Sequence, residues 1–348
     1  IEDGEPEAME IFSWFKEVTL RDAMRVYDLL GIHFDSYAGE SFYNDKMGRV
    51  LDELTQRGLL VDSEGAKVVP LEQWNMPPCM ILKKDGATLY ATRDIAAALY
   101  RKDTYDFAKC LYVVAYQQNL HFKQWFKVIE LMGYDWYQDL EHVAFGMVSY
   151  EGQTLSTRKG YVVYLDELLQ RAVEKAADII AQKNPDLPNR NEVARQVGIG
   201  SVIFTTLFNN RIKDIDFWWD RALNFDGETA PYVQYAHARC CSLLQKGGLS
   251  LEGPVDDSLL TDDASQAVCK LLSDFPAAIQ EACRRNEPYV ITRQVLSLAQ
   301  AFNRFYIEHR ILDEDETATR TRLQLVAAVR QVLHNGLYLL GIEAPEQM

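Results

Sequence analysis

Residues 110–148, CLYVVAYQQNLHFKQWFKVIELMGYDWYQDLEHVAFGMV, decide the fold of the first half of the chain. An apolar run, CLYVVAY, precedes a segment whose apolar residues recur three or four apart, and a second run, HVAFGMV, follows it. We predict that CLYVVAY is a buried strand and that Gly133 ends the helix after it. Because strand, helix and strand alternate, the stretch predicts a parallel α/β sheet. Ligands of such sheets bind beyond the carboxyl ends of the strands, here Tyr116-Gln117-Gln118 and Gly146-Met147-Val148.

Composition limits the function classes. With 348 residues the chain is expected to form two or three domains. Its net charge of −15 argues against non-specific coating of nucleic acid but leaves room for local basic patches. The six cysteines form no CxxC pair, so reduced thiols in a cytoplasmic protein are the simplest interpretation. No apolar run is long enough to cross a membrane.

The segments on either side of this stretch are predicted mostly as helices. Helical spacing before residue 60 ends at Gly31 and again at Gly58. CMILKK and TLYAT predict a hairpin or a strand pair with a tight Asp85-Gly86 turn, with Thr92 capping the next helix and Asp94 in its first turn. From Asp166 onward the pattern is mainly helical, and a separate helical domain is expected from Pro231. The predicted fold class is therefore α/β plus all-α.

A hydroxyl-rich, cationic turn lies within EGQTLSTRKGYVVYLDEL, residues 151–168. Ser156, Thr157, Arg158 and Lys159 can donate several hydrogen bonds to phosphate oxygens. Taken alone, such a run is more often a solvated connection between two elements.

Two further groups lie at the expected ligand side of the sheet. Tyr90 and Asp94 flank a strand-to-helix junction, where the carboxylate could pair with a cationic group. Gln118 ends a strand and His121 opens a helix, where an amide could bind a polar ligand. Helix capping and an ordinary loop are the simpler alternatives, and a histidine alone is more often structural.

The helical part carries aromatic and basic residues. Tyr232 and Tyr235 lie three apart in PYVQYAHAR, and Asn209, Arg211 and Lys213 form a basic spot. Exposed aromatic rings beside cations can stack on unpaired bases. The alternative is that the tyrosines are half-buried packing residues.

Together these segments resemble the arginyl-tRNA synthetases, class I aminoacyl-tRNA synthetases of the bacterial type. The resemblance rests on several blocks in family order, namely GESFYNDKM, DGATLYATRDIAAALYR, LYVVAYQQNLHFKQWF, LSTRKG, FDGETAPYVQYAHAR, AFNRFYIEHRIL and LLGIEAPEQM. It implies a partial Rossmann-like parallel-sheet catalytic domain followed by a helical anticodon-binding domain.

The resemblance also assigns roles to residues. It implies that Ser156, Thr157, Arg158 and Lys159 are catalytic, in the position of the KMSKS signature, although both usual lysines are replaced. It places the arginine substrate at Tyr90, Asp94 and Gln118. ATP is expected at Gly146, Met147, Val148 and His121. The residues expected to contact tRNA are Tyr232, Tyr235, Tyr306, Met348, Asn209, Arg211 and Lys213.

One departure from the family is that the HIGH signature is absent from this sequence. We therefore expect the chain to be a C-terminal portion of the enzyme, inactive by itself. The expected divisions are residues 1–75, part of an insertion in the catalytic fold; 76–150, the second half of the nucleotide-binding domain; 151–230, the signature loop and stem-contact helices; and 231–348, the anticodon-binding domain.

The expected reaction joins arginine to tRNA(Arg) through arginyl-adenylate, in a step that in this family depends on bound tRNA. ATP with Mg²⁺ is expected as a substrate, without a tightly bound cofactor. The expected partners are tRNA(Arg), arginine and ATP, with no membrane, in a cytoplasmic monomer. A tRNA-binding module without catalysis is the alternative function.

Overall fold

The computed structural model describes residues 5–155, 160, 162–248 and 250–348. These residues form two compact units. Unit 1 takes in the described residues within 5–22 and 33–146, and unit 2 takes in the described residues within 23–32 and 147–348. The first helix, α1 (Pro6–Leu29), contributes to both units, and Gly31 follows it with a φ of +65°. The four-part division of the sequence stays a prediction.

Unit 1 combines an antiparallel sheet, a parallel strand pair and three further helices. Its elements in chain order are α2 (Met47–Gln56), β1 (Val61–Ser63), β2 (Ala66–Val69), β3 (Cys79–Leu82), α3 (Tyr90–Tyr105), β4 (Cys110–Ala115), α4 (Asn119–Leu131) and β5 (Leu140–Phe145). The antiparallel sheet has the order β1-β2-β3, and β4 pairs with β5 in parallel from Cys110↔Leu140 to Ala115↔Phe145. The predicted strand–helix–strand unit is therefore confirmed, and Gly133, with a φ of +83°, follows α4.

The prediction that CLYVVAY is buried was wrong. Leu111 and Val113 in β4 are exposed, Val113 by 65% of its surface. The unit 1 core lies instead around the fully buried Trp125 of α4, with Ile81 and Leu99 beside it. The apolar pattern of β4 thus leaves a strand face open to solvent in this chain.

The predicted pairing around Asp85-Gly86 forms only in part: Leu82 and Thr88 make an antiparallel bridge across the turn. TLYAT does not continue as a strand, because α3 already begins at Tyr90. Thr92 lies inside this helix rather than at its cap, and its buried hydroxyl donates a 2.6 Å hydrogen bond to the carbonyl of Ile81. The bond joins the first turn of α3 to β3. A threonine at this position gave a capping signal that a tertiary contact overrides.

Unit 2 contains one small sheet and seven further helices among its described residues. Its elements in chain order are β6 (Val148–Tyr150), β7 (Gln153–Thr154), α5 (Leu165–Lys183), α6 (Arg190–Leu207), β8 (Ile215–Phe217), α7 (Trp219–Ala222), α8 (Ala230–Gly247), α9 (Asp263–Arg285), α10 (Tyr289–Glu308) and α11 (Glu316–Leu339). In the sheet, β6 pairs with β7 antiparallel and with β8 in parallel. Helices α8–α11 surround a core that includes Phe302 and Phe305, which confirms the predicted helical domain.

Candidate active site and nucleic-acid surface

The first turn of α3 presents two of the predicted arginine-site residues on one helix face. Tyr90 is the first residue of the helix and is 68% exposed. Asp94 follows four residues later, so the two side chains share a face. The hydrogen bond from Thr92 to Ile81 fixes this turn against β3. The helix start thus provides an aromatic ring and a carboxylate next to each other.

Asp94 is paired with His121, which opens α4. The Nε2 atom of His121 lies 2.6 Å from Oδ2 of Asp94, and 37% of the Asp94 side chain remains exposed. The sequence placed these residues in separate groups and did not predict the pair. A carboxylate has about four acceptor positions, so Asp94 can bind a second donor group while it holds His121.

The Asp94 charge also acts on Cys79 in β3. Burial, and to a lesser degree the nearby Asp94 carboxylate, raise the pKa of the Cys79 thiol to about 12. The thiol is therefore protonated at neutral pH and packs as a small apolar group in the unit 1 core. The negative field around Asp94 suits a cationic ligand group better than an anionic one.

The carboxyl ends of β4 and β5 lie at one edge of the parallel pair, since Ala115 pairs with Phe145. Gln118 is exposed in the turn between β4 and α4, three residues before His121. Gly146 directly follows β5 and is buried. Gln118, His121 and Asp94 thus gather at the ligand side that the strand order predicts.

The other predicted ATP residues, Met147 and Val148, belong to unit 2. Both side chains are exposed, Met147 by 44%. The Met147 amide donates a 2.7 Å hydrogen bond to Oδ1 of Asp214. The predicted catalytic residues Ser156, Thr157, Arg158 and Lys159 lie outside the described residues.

The helical domain brings three of the predicted tRNA contacts to one place. Tyr235, Tyr306 and Met348 line a cavity of about 410 Å³. Arg239, which is not among the predicted contacts, lies close to both rings, with its guanidinium carbon 4.8 Å from the Tyr235 centroid and 4.7 Å from the Tyr306 centroid. Its Nη1 donates to Oδ1 of Asn303. The four-residue spacing from Tyr235 to Arg239 on α8 is the signal that could have found it.

The remaining predicted tRNA contacts are arranged differently. Tyr232 is half-buried and packs against the helical core, so its position fits the packing alternative. The Arg211 side chain donates to the carbonyl of Asn286 at 3.1 Å and lies 3.7 Å from the buried carboxylate of Glu287. Asn209 and Lys213 are exposed. Arg211 thus ties its loop to the turn before α10.

Within the described ranges, no group of three or more histidine, cysteine or acidic side chains is arranged to hold a metal ion. No helix in the described part of the chain has the length and apolar character needed to span a bilayer.

Two family profiles match the sequence in succession. The profile described as tRNA synthetases class I (R), catalytic domain, matches residues 1–219. The profile described as DALR anticodon binding domain matches residues 233–348. Together they account for nearly all of the chain.

Curated relatives match along the whole chain. The arginine–tRNA ligase of Alkaliphilus metalliredigens is 55% identical over 348 residues, which are 100% of this chain and 62% of the relative. The arginine–tRNA ligase of Clostridioides difficile is 54% identical with the same shares covered. The chain therefore spans less than two thirds of the length of these relatives.

Solved structures of aminoacyl-tRNA synthetases share the fold of this chain. Thermus thermophilus arginyl-tRNA synthetase superposes with a TM-score of 0.85 at 26% identity, covering 100% of this chain and 68% of that one. Mycobacterium tuberculosis methionyl-tRNA synthetase superposes with a TM-score of 0.64 at 10% identity, covering 90% of this chain and 76% of that one, which supports the fold alone.

Proposed function

This chain belongs to the class I arginyl-tRNA synthetases, and we propose that it is part of an enzyme that attaches arginine to tRNA(Arg) with the consumption of ATP. The observation that carries the proposal is the 55% identity with an arginine–tRNA ligase along the full length of the chain. Because the chain spans 62% of that relative, the activity is proposed for the complete gene product.

The proposed reaction has two steps. The carboxylate of arginine attacks the α-phosphorus of ATP, so that arginyl-adenylate forms and pyrophosphate leaves. A terminal ribose hydroxyl of tRNA(Arg) then attacks the arginyl carbonyl, and AMP leaves with its phosphate taking the proton of that hydroxyl. Neither step needs a covalent bond to the protein, so catalysis depends on positioning and on neutralising phosphate charge.

Asp94 is proposed to pair with the guanidinium group of arginine. A planar cation with several N–H donors suits a carboxylate with free acceptor positions, and part of the Asp94 side chain is exposed beside Tyr90. His121 would then orient the carboxylate through the 2.6 Å contact, which is a different role from the ATP contact that the resemblance implies. Gln118 would complete the site with an amide.

ATP with Mg²⁺ is proposed to bind at Gly146, Met147 and Val148, with Ser156, Thr157, Arg158 and Lys159 meeting the phosphates. The support for these roles is their position in the resemblance and the chemistry of hydroxyl and cationic donors. Mg²⁺ is proposed to arrive with ATP and to offset the charge of its phosphates.

The cavity between Tyr235, Arg239, Tyr306 and Met348 is proposed to receive a base of the anticodon loop. A guanidinium held between two tyrosine rings is a stacking surface that also attracts the nucleic-acid backbone. This cluster also favours the second candidate function, a tRNA-binding module without catalysis. We propose further that the protein is a cytoplasmic monomer, with the four sequence divisions as its functional parts.

The test is ATP–pyrophosphate exchange by the complete gene product, with tRNA(Arg) present and each of the twenty amino acids in turn. Exchange that depends on arginine is the expected result. Binding of tRNA(Arg) without exchange for any amino acid would favour the module without catalysis. Exchange with a different amino acid would reject the proposed substrate.

A further inference from the structure

Two aspartates on either side of Ile215 hold the segment Met147–Gly152, called here the clasped segment. Asp214 Oδ1 accepts a 2.7 Å hydrogen bond from the Met147 amide at one end of the segment. At the other end Asp216 Oδ1 accepts a 2.9 Å hydrogen bond from the Gly152 amide. The pattern Asp-Ile-Asp thus binds one backbone amide with each carboxylate.

Main-chain bonds strengthen the same attachment. The Ile215 amide donates to the Met147 carbonyl at 2.8 Å, and the Glu151 amide donates to the Phe217 carbonyl at 3.0 Å. The clasped segment turns sharply at its end, where Glu151 has a φ of +49° and Gly152 a φ of +77°. A left-handed conformation is unfavourable for glutamate, so the turn needs external support of the kind that Asp216 gives.

Asp216 also binds two side chains. Its Oδ1 accepts a 2.8 Å hydrogen bond from the Ser149 hydroxyl, and its Oδ2 accepts a 2.5 Å hydrogen bond from the Trp218 indole. The Gly152 amide first, and then the Trp218 indole, lower the pKa of the Asp216 carboxyl below its ordinary range. The group is therefore an ionised acceptor at neutral pH.

We propose that Asp214 and Asp216 are positioning residues for ATP, because they fix the backbone of the clasped segment. This inference rests on the proposed function, in which Met147 and Val148 meet the nucleotide. It also changes the expected role of Met147. Its amide is already bound to Asp214, so Met147 contributes its exposed thioether side chain to the adenine rather than a backbone N–H.

The experiment uses the complete gene product and its Asp216→Ala, Asp216→Asn and Asp214→Asn variants. The control is Asp220→Ala, which removes an exposed carboxylate from the neighbouring α7. Steady-state pyrophosphate exchange in the presence of tRNA(Arg) gives the KM for ATP, for arginine and for tRNA(Arg) separately. Equilibrium dialysis with ATP gives a second readout that does not depend on the amino acid.

Asp216→Ala should weaken ATP binding roughly tenfold in both assays, since it removes three hydrogen bonds to a charged acceptor. Asp216→Asn, which keeps one acceptor oxygen, should recover part of the loss. Asp214→Asn should weaken ATP binding to a similar intermediate degree, and the KM for arginine should change by less than about twofold in every variant.

Unchanged ATP affinity in Asp216→Ala would overturn the inference. Equal losses for ATP, arginine and tRNA, together with a lower Tm, would overturn it too, because they indicate a general structural role. Failure of the proposed function looks different. The wild-type protein would then show no arginine-dependent exchange, while the dialysis comparison still decides whether the two aspartates support ATP binding.

Discussion

Asp94 is proposed to select arginine, because its carboxylate charge would pair with the guanidinium group of the substrate. Asp94→Asn keeps the size of the side chain but removes the charge that would face a guanidinium group. We expect the KM for arginine to rise roughly a hundredfold, since a charged partner left without its counter-charge loses about 2–3 kcal/mol. Pyrophosphate exchange by the complete gene product measures this change, and the KM for ATP should stay constant.

The matched control for Asp94 lies on the same helix. Asp103→Asn also removes a carboxylate from α3, but Asp103 pairs with Arg49 on the unit 1 surface. It should leave the KM for arginine unchanged. Equal effects of the two substitutions would contradict the proposed role of Asp94.

A substitution at Tyr235 tests the proposed contact with an anticodon-loop base. Tyr235→Ala removes one of the two rings beside Arg239 and should weaken tRNA(Arg) binding roughly tenfold, because stacking contributes about 1–3 kcal/mol per base. Filter binding measures the affinity. Tyr338→Ala, which removes an exposed tyrosine from α11, is the control and should have no effect. Unchanged affinity with a lower Tm would show that Tyr235 is a packing residue.

At the level of single residues, the chemical type of a candidate side chain could be predicted from the sequence, whereas the partner that it contacts could not. Asp94 was recognised as a candidate ion-pair partner, but its 2.6 Å contact with His121 depends on how α3 packs against α4 and has no signal at short range. Arg239 was missed because a single arginine in a helix is usually a solvated surface residue. Thr92 was misassigned because the carbonyl that it binds lies 11 residues away in the sequence.

At the scale of elements, α5 and α6 meet through a glycine. A Cβ atom at Gly198 would lie 2.6 Å from the backbone nitrogen of Val173, and a backbone atom cannot move aside easily. We expect Gly198→Ala to lower the free energy of unfolding by about 2 kcal/mol or more. Urea unfolding of this chain measures the change.

Gly48 in α2 provides the control for that substitution. A Cβ atom at Gly48 would have no neighbour within 4 Å, so Gly48→Ala should be neutral or stabilise by up to about 1 kcal/mol. If Gly198→Ala were as harmless as Gly48→Ala, the close approach of the two helices would be contradicted.

His237 in α8 holds the C-terminal segment and makes its attachment dependent on pH. Its Nδ1 lies 2.9 Å from the Pro345 carbonyl, to which it donates, and the ring is buried. Burial lowers the pKa of His237 below its ordinary value of 6.5, and the hydrogen bond to Pro345 offsets only part of this shift. The unfolded chain therefore binds a proton at a higher pH than the folded chain does.

The sign of the effect follows from this difference. The contribution of neutral His237 is fully present above pH 6.5 and decreases as the pH falls through the lowered pKa. Below pH 6.5, the stability measured by urea unfolding should decline less steeply in His237→Asn than in the wild type. His33→Asn, at an exposed histidine, should follow the wild-type curve. Parallel curves for all three proteins would contradict the role of His237.

Apolar spacing predicted the parallel β4–β5 pair, and glycines predicted the helix ends at Gly31 and Gly133. The start of α3 could not be predicted in this way, because TLYAT has the composition of a strand while its last three residues form the first turn of the helix. The short strand β8 was also missed. Three residues carry little periodicity, and β8 is defined by its pairing with a distant strand.

At the scale of the whole molecule, family and fold class could be predicted because many short blocks occur in family order. The exposed face of β4 could not be read from its apolar pattern, since the pattern shows what the strand can pack against and not what covers it. Val113, 65% exposed, is an apolar residue of this kind. The position of the candidate site could be predicted, because His121 and Gln118 follow the carboxyl end of β4 and His121 contacts Asp94.

Aminoacylation by the complete gene product tests the proposed attachment of arginine to tRNA(Arg) directly. A transcript of tRNA(Arg) and the same transcript with an altered anticodon are incubated with ATP, Mg²⁺ and radiolabelled arginine, and acid-precipitable arginine is counted. We expect tRNA(Arg) to be charged, and the altered transcript to be charged far more slowly. No charging with arginine, in a preparation that charges tRNA with another amino acid, would contradict it.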